Sequence, residues 1–589
     1  MNKNMNYYLN KTKDAEQTES LREAFGKMIP ILANEKKGIF ISIATIILNS
    51  GLTLVGPLII GHVIDTSIQQ GSMKGVLAFS SILLAVYIGA YIANYIQMRV
   101  MGAVAQRTLW KLRNDVFSKL MELPLAFFNQ NKSGDLISRI NNDTDKLNEF
   151  FSEGLMRFAG SLFIVLGSGI FILAIDWKLG LAAMIPATVA FSFTWIVSPY
   201  VKRRTRKSLK ATGTLSAEVQ ESMTNFKVIL AFNRRDYFAK KFMEVNDKNY
   251  KAAVNAGITN EMFTPIFEWA ANLGLLVVLG YGIVLISNGA LAIGVLVSFI
   301  MYVTRFYDPQ REMARMWSTF QTALAAWDRI GEILHLKSDL EVLDIPERRT
   351  DKGLLAFEKV FFSYPDGDTV LKDANFVFEK GKTYALVGPT GGGKTTTASL
   401  IARLYDPTSG TVFLNGKDIR SYAPEERSQK IGFILQEPFL FSGTVRENIM
   451  YGNEKYGGDE EKNLEKDLEE SGLDELLVRF DKGLETKVGN YSSLSLGQRQ
   501  LIAFIRAVLR KPEILILDEA TANIDTITEK MLENVLEKLP KETTRVIIAH
   551  RLNTIENADG IFFVNGGEVV EAGSMEHAVD MLLHNKRTS

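Results

Sequence analysis

Cysteine is absent from all 589 residues, which excludes disulfide bonds, zinc–thiolate sites and thiol catalysis. Net charge is absent too. Lys and Arg number 67, Asp and Glu number 67, so no bulk attraction to nucleic acid is implied. The first residues are polar and charged (Lys11, Lys13, Asp14, Glu16) without an apolar run, so no cleavable signal peptide is expected. No internal repeat is evident. What the chain has in excess is apolar residues, 47% of the total with a mean hydropathy of +0.04, and they are unevenly spread. A length of this order allows several domains.

The apolar excess lies in the first half. Six spanning helices are expected near residues 38–60, 76–96, 155–175, 179–197, 262–286 and 293–306. The last is short against the ~20 residues that a bilayer requires, so it should extend into a helical stretch at 307–333. Asn49 and Gly51 in the first are tolerated where they face other helices. Charge placement sets the topology. Arg99, Arg107, Lys111, Arg113, Lys119, Lys132 and Arg139 lie between the second and third spans, and Lys202, Arg203, Arg204, Arg206, Lys207 and Lys210 between the fourth and fifth. The other connections hold only Lys74 and Lys178. The basic loops therefore face the cytoplasm together with both termini. A soluble bundle of six buried helices does not account for that alternation. The two cytoplasmic loops, roughly 55 to 65 residues each, exceed ordinary connections and read as helical extensions of the spans.

The second half carries a phosphate-binding pattern: Gly388, Pro389, Thr390, Gly391, Gly392, Gly393, Lys394 and Thr395. A short apolar run at 383–387 reads as a buried strand before it, and residues 395–404 read as a helix after it, with Thr396 in its first turn. Glycines let backbone N–H groups turn towards phosphates, and the helix N-terminus adds a favourable dipole. Lys394 would reach the β- and γ-phosphates, and the Thr395 hydroxyl would ligate Mg²⁺. Downstream, four apolar residues at 514–517 end in Asp518 and Glu519. Asp518 suits Mg²⁺, and Glu519 suits a general base on water.

From about Leu355 onward the chain resembles the nucleotide-binding domain of ATP-binding-cassette (ABC) proteins. Leu494-Ser495-Leu496-Gly497-Gln498 is similar to the family signature, with Leu496 in place of the commoner glycine. The resemblance implies that Ser495, Gly497 and Gln498, at a helix start, hold ATP bound on a second domain. It further implies an adenine-stacking role for Tyr364, a link from Mg²⁺ and water to the membrane domain for Gln436, a γ-phosphate switch for His550, and a crossing loop at Asn523, Ile524 and Asp525. The first half is similar to ABC exporters. Phe127, Phe128 and Asn129, followed by residues 133–139, resemble the first coupling segment, and residues 221–226 stand where the second falls.

The expected architecture is a six-helix transmembrane domain of ABC exporter type followed by an α/β P-loop ATPase domain with a helical subdomain. The expected divisions are a cytoplasmic segment with an interfacial helix at 1–36, the membrane domain at 37–333, a linker at 334–354 and the ATPase at 355–589. The resemblance implies a multi-pass protein of the cytoplasmic membrane. It would use ATP and Mg²⁺ to export a small amphiphilic molecule, as a dimer of half-transporters in contact with membrane lipid. A flippase for lipid or lipid-linked oligosaccharide, a peptide exporter and an importer on the exporter fold are the alternatives. Lack of an N-terminal peptidase domain argues against leader-peptide processing. A soluble ABC ATPase acting on DNA or the ribosome conflicts with the membrane segments. Glu261, Glu268 and Asn272 share one helix face, and an intramembrane carboxylate suggests function; Glu268 and Asn272, beside Trp269, are the candidate contacts for an amphiphilic cation. Asn523-Ile524, Lys487 and Leu496 depart from the usual homodimeric pattern and favour a heterodimer over a homodimer.

Overall fold

The structure, a computed structural model, describes residues 7–9, 35–338, 340–345, 353–365, 367–436, 438–456, 463–489, 494–518, 526–548 and 558–584. Two compact units emerge. One is helical and comprises residues 11–120 and 134–335. The other comprises residues 1–10, 121–133 and 336–589.

The helical unit is built from long helices that follow the apolar runs. They are α1 (Lys36–Ile68), α2 (Met73–Glu122), a short α3 (Leu125–Gln130) that falls in the other unit, α4 (Ser133–Ile175), α5 (Trp177–Thr224), α6 (Phe226–Ala231), α7 (Arg235–Ser287) and α8 (Ile293–Leu334). Among the described residues α1, α2, α4, α5 and α7 are long and apolar enough to cross a membrane. The sixth expected span, in α8, is not one of these, because its apolar stretch ends at Arg305; the helix nonetheless continues through Leu334. At 1.5 Å per residue the 50 residues of α2 extend about 75 Å, far beyond a ~30 Å hydrocarbon core, so the polar part of each long helix must project from the membrane.

Only 11–28% of the apolar windows is buried. Phe40, Leu84, Ile170, Trp195 and Leu276 are exposed, an arrangement that suits lipid as solvent and not water. The buried side of the unit is knit by α4, α5, α7 and α8 around Ile172, Leu179, Phe267, Phe299 and Val303. Polar atoms there pair with backbone. Tyr307 Oη donates to Ala183 O at 2.7 Å, Ser298 Oγ to Pro57 O at 2.7 Å, and Tyr302 Oη to Leu54 O. Asp65 Oδ1 accepts from Gly294 N at 2.7 Å, tying α1 to the start of α8.

The second expected coupling segment, residues 221–226, contains a helix break: residues 221–224 complete α5, and α6 begins at Phe226. The break is local chemistry: Asn225 Nδ2 donates back to Glu221 O at 3.0 Å, an amide-to-backbone bond that competes with helix continuation.

The second unit carries two principal sheets. An antiparallel sheet runs β2-β1-β4-β5 from β1 (Leu355–Ser363), β2 (Thr369–Phe378), β4 (Ser409–Leu414) and β5 (Lys417–Asp418). A six-stranded sheet runs β12-β11-β3-β10-β9-β6, from β3 (Thr383–Val387), β6 (Ile431–Ile434), β9 (Ile514–Asp518), β10 (Thr544–Ile548), β11 (Gly560–Asn565) and β12 (Glu568–Glu571). Its strands are parallel except β12. Near-continuous apolar strands are required here because a parallel sheet is covered on both faces, and β9 is buried throughout. Helix α9 (Lys394–Ile401) follows β3, and short helices including α10 (Pro424–Lys430), α11 (Val445–Met450) and α12 (Leu464–Glu470) precede α13 (Leu496–Val508). The residues that lead into β1 are docked on this unit: buried Arg403 donates to Glu341 O at 2.8 Å and pairs with Asp406 at 2.9 Å.

Candidate nucleotide site

The phosphate loop sits between β3 and α9, and its glycines are forced by space and torsion. Gly388 has φ +147° and Gly393 φ +114°. A Cβ on Gly388 would overlap Val564 O of β11 and lie 3.0 Å from Val564 C. Gly392 is blocked by the same carbonyl, whereas a Cβ on Gly391 (φ +81°) meets nothing within 4 Å. The loop backbone is thus pressed against β11. Lys394 is 5% exposed, and its Nζ donates to Gly388 O at 2.8 Å and Pro389 O at 3.0 Å, so the ammonium lies within the loop. Thr397 Oγ1 donates to Gly393 O at 3.0 Å and secures the first turn of α9. Thr395 is exposed and Thr396 buried.

Asp518 is the last residue of β9 and is 4% exposed. It pairs in register with Ile548 of β10, and Ile548 pairs with Leu386 of β3, so Asp518 stands two strands from the end of the strand that feeds the loop. The fold therefore brings Lys394, Thr395 and Asp518 to the same sheet edge. A glycine cradle, a lysine and a serine-type hydroxyl beside a carboxylate match the donor set for Mg²⁺ and a polyphosphate, since Mg²⁺ prefers one or two protein oxygens plus phosphate and water. When bound, that ion would neutralise phosphate charge, with Thr395 and Asp518 as its protein ligands. Glu519, His550 and Asp525, with Asn523 and Ile524, lie outside the described residues. Gln436, two residues past β6, is exposed.

The signature residues form a helix cap. Ser495 is the N-cap of α13: its Oγ accepts from Gln498 N at 3.1 Å while Gln498 Oε1 accepts from Ser495 N at 2.9 Å, a reciprocal capping box. Gln498 Nε2 also donates to Arg479 O at 2.8 Å. Gln498 is thereby committed to holding the cap, and the Ser495 hydroxyl keeps a proton to donate. Leu496 and Gly497 occupy the first two helical positions, so the replacement of glycine by leucine leaves the cap intact.

Tyr364 lies just after β1, half-buried. Its hydroxyl hydrogen-bonds with Thr396 Oγ1 at 3.0 Å, and its ring stands edge-on to Phe362 and Tyr405 with centroids 4.9 and 5.3 Å apart. The sequence reasoning missed Tyr405. It accepts from Asn129 Nδ2 at 2.6 Å, so the first expected coupling segment reaches the aromatic cluster beside Tyr364. Burial pushes the Tyr405 hydroxyl above its ordinary pKa, against the Asn129 bond that lowers it; the phenol stays neutral and can accept. No spacing rule could have linked residues 276 positions apart.

Within the helical unit, the motif expected after α3 forms an ion-pair network. Buried Arg139 pairs with Asp135 at 3.0 Å and Glu332 at 2.8 Å, and Arg329 pairs with Asp135 at 2.6 Å and Asp143 at 3.2 Å. This fastens the start of α4 to the end of α8. In α7, Glu261, Glu268, Trp269 and Asn272 are exposed on the isolated chain, whereas Phe267 and Ala270 are buried. Lys487, in the two-residue strand β8 (Lys487–Val488), faces Thr444 of β7 (Gly443–Thr444).

Residues 39–310 match the family description "ABC transporter transmembrane region", and residues 371–522 match "ABC transporter". Among similar chains, an uncharacterized ABC transporter ATP-binding protein YfiC of Bacillus subtilis (strain 168) is 32% identical over 549 residues, 92% of this chain and 90% of that one. A protein of Mycobacterium tuberculosis named fatty acid ABC transporter ATP-binding/permease protein is 33% identical over 499 residues, 84% of this chain and 78% of that one. A multidrug resistance ABC transporter ATP-binding and permease protein of Lactococcus lactis subsp. lactis is 31% identical over 503 residues, 85% and 84% respectively. A membrane region, a phosphate-loop ATPase and relatives that share both along most of their length lead to one conclusion: the chain belongs to the ABC transporter family as an exporter-type half-transporter, a multi-pass membrane protein that couples ATP hydrolysis to transport.

Proposed function

We propose that this chain exports a small amphiphilic molecule by alternating access, as one half of a dimer whose two ATP sites are each shared between subunits. The observation that supports the shared site is the Ser495–Gln498 cap. It presents a hydroxyl and helix N–H groups at a helix N-terminus suited to phosphate, on a different element from the loop that carries Lys394. One chain holds one phosphate loop and one signature, and the family resemblance pairs them across two chains. In this reading Lys394, Thr395 and Asp518 hold ATP and Mg²⁺ from one side, Ser495 and Gly497 close on the phosphate from the other, and Glu519 takes the proton from the attacking water while His550 contacts the γ-phosphate.

Closure then reaches the membrane helices through α3 and the segment at residues 221–226. Asn129 on Tyr405 supports that assignment for α3, because it joins the segment to the aromatic group beside the proposed adenine contact. The membrane topology we propose comprises six spans, including α8, with both termini and the ATPase domain in the cytoplasm. The names of the M. tuberculosis and L. lactis relatives, a fatty acid and a multidrug transporter, both suit amphiphilic cargo. Within it, Glu268 and Asn272 on α7 are the proposed polar contacts for the cargo. Lipid flipping is the second reading and rests on the same apolar surfaces. The altered crossing loop and Lys487 favour a heterodimer.

Two measurements test the reading. Glu519→Gln should leave ATP binding intact, abolish turnover and trap a closed dimer; turnover near the parent rate removes Glu519 from its role. Expression of this chain alone should give inactive or aggregated protein that a second half-transporter rescues, whereas a stable dimer with two equivalent hydrolysing sites overturns the heterodimer.

A further inference from the structure

Tyr7, Tyr8 and Leu9 belong to the same compact unit as α3 and the ATPase fold. Here Tyr7 is 1% exposed and Leu9 is 9% exposed. Tyr7 N donates to Gln130 Oε1 at 2.8 Å, and Leu9 N donates to Asn131 Oδ1 at 3.1 Å. Asn131 Nδ2 donates to Tyr7 O at 3.0 Å and also to Phe127 O at 2.8 Å, so one amide binds the N-terminal stretch and closes the C-terminal end of α3. The Tyr7 ring packs edge-on against fully buried Phe127, centroids 6.4 Å apart. Its hydroxyl donates to Lys337 O at 3.1 Å, at the start of the chain that leads into β1.

The pattern is a backbone being read: donor, acceptor and donor of residues 7–9 each meet a side-chain amide of residues 130–131. Six residues of helix cannot hold themselves in water, so α3 depends on its surroundings for position. Asn129 and Tyr405 hold one side. The tripeptide holds the other, and through Tyr7 Oη it also joins α3 to the linker.

We propose that residues 7–9 form a strap that fixes the coupling segment to the ATPase unit, with Tyr7 and Asn131 as positioning residues for transmission. The proposal rests on the reading of α3 as a coupling segment. A strapped α3 moves with the ATPase fold, so nucleotide-driven displacement passes to α2 and α4; an unstrapped α3 tilts or slides and absorbs it. The bonds of the strap named above fall on α3 and the linker, so its loss should change transmission and leave nucleotide affinity as it was.

The absence of native cysteine provides a clean test. Spin labels on Ser72→Cys and Asn288→Cys, in the two exposed connections after α1 and α7, report the opening of the membrane helices. The distance distribution is recorded with and without ATP in the full-length Glu519→Gln chain assembled with its partner subunit. Tyr7→Ala should lower the ATP-induced population ratio at least about fivefold, the loss expected from one missing hydrogen bond, with unchanged affinity for a fluorescent ATP analogue. Tyr7→Phe, which keeps the ring and removes the hydroxyl that bonds Lys337 O, should fall between, and Asn131→Ala should match Tyr7→Ala. An unchanged ATP response in Tyr7→Phe and Asn131→Ala overturns the strap even if Tyr7→Ala fails to fold. No ATP response in the parent overturns the coupling reading, and the strap with it. A response lost in parallel with nucleotide affinity also overturns the strap, because it shows a general loss of structure.

Discussion

Two alanine substitutions in the phosphate loop separate steric packing from backbone strain. At Gly391 an alanine meets open space, so its cost is the positive φ alone, about 1–2 kcal/mol, or about 5- to 30-fold if all of it falls on the bound state. At Gly388 the strain is compounded by Val564 O, a backbone atom in β11, a strand fixed between β3 and β12. A flexible side chain could rotate away; this carbonyl cannot. The loop must lift from the sheet, and a displacement of about 1 Å in such a site costs about 100-fold in rate. The assay is equilibrium binding of a fluorescent ATP analogue to the full-length dimer, with hydrolysis measured in parallel. Gly391→Ala should retain measurable binding, and Gly388→Ala should bind more weakly than Gly391→Ala and lose about 100-fold in hydrolysis rate. If Gly388→Ala binds as the parent does, or if Gly391→Ala is the more damaging, the loop is not held by contact with β11.

Tyr364→Ala should weaken ATP binding by about 1–3 kcal/mol, the range for base–aromatic stacking, while Tyr364→Phe should keep most of it and lose only the Thr396 bond; equal affinities in a titration rule out stacking. Glu513 supplies a pH test. Burial disfavours its charge, but Lys430 at 2.7 Å and Asn415 together hold its carboxyl below the usual range. The folded state therefore binds fewer protons there, so the contribution is complete above the ordinary pKa of about 4.3 and disappears as pH falls through the lower folded value. Glu513→Gln should flatten that acid-side loss in thermal melts across about pH 3 to 6, which brackets the ordinary carboxylate range, and an unchanged slope would refute it. Glu268→Gln should reduce efflux of an amphiphilic cation such as ethidium and its stimulation of ATPase; unchanged values for both would remove Glu268 from substrate contact.

Chemistry concentrated in short segments was legible in the sequence. Strand, glycine loop and helix at 383–401 are visible because each obeys a local rule, and the apolar strand that ends at Asp518 is visible for the same reason. The long helices follow from their apolar runs. The break between α5 and α6, inside the second expected coupling segment, has no mark in the sequence, because residues 221–224 have ordinary helical character and the break depends on one amide at Asn225. The order β12-β11-β3-β10-β9-β6 has no sequence signature, since parallel neighbours are joined by long crossovers. Tyr405, Tyr7 and Asn131 were missed for a related reason. Each matters through a partner remote in the chain, and neither periodicity nor motif records such pairs.

ATP-driven export fixes the direction in which cargo moves across inverted membrane vesicles. Vesicles that contain this chain and its partner subunit, with the cytoplasmic face outward, are given ATP and a fluorescent amphiphile such as ethidium or a labelled fatty acid. The account predicts ATP-dependent accumulation inside the vesicles, absent with Glu519→Gln and absent with a non-hydrolysable analogue. Accumulation that proceeds without hydrolysis, or ATP-driven loss of amphiphile preloaded in the lumen, would contradict it.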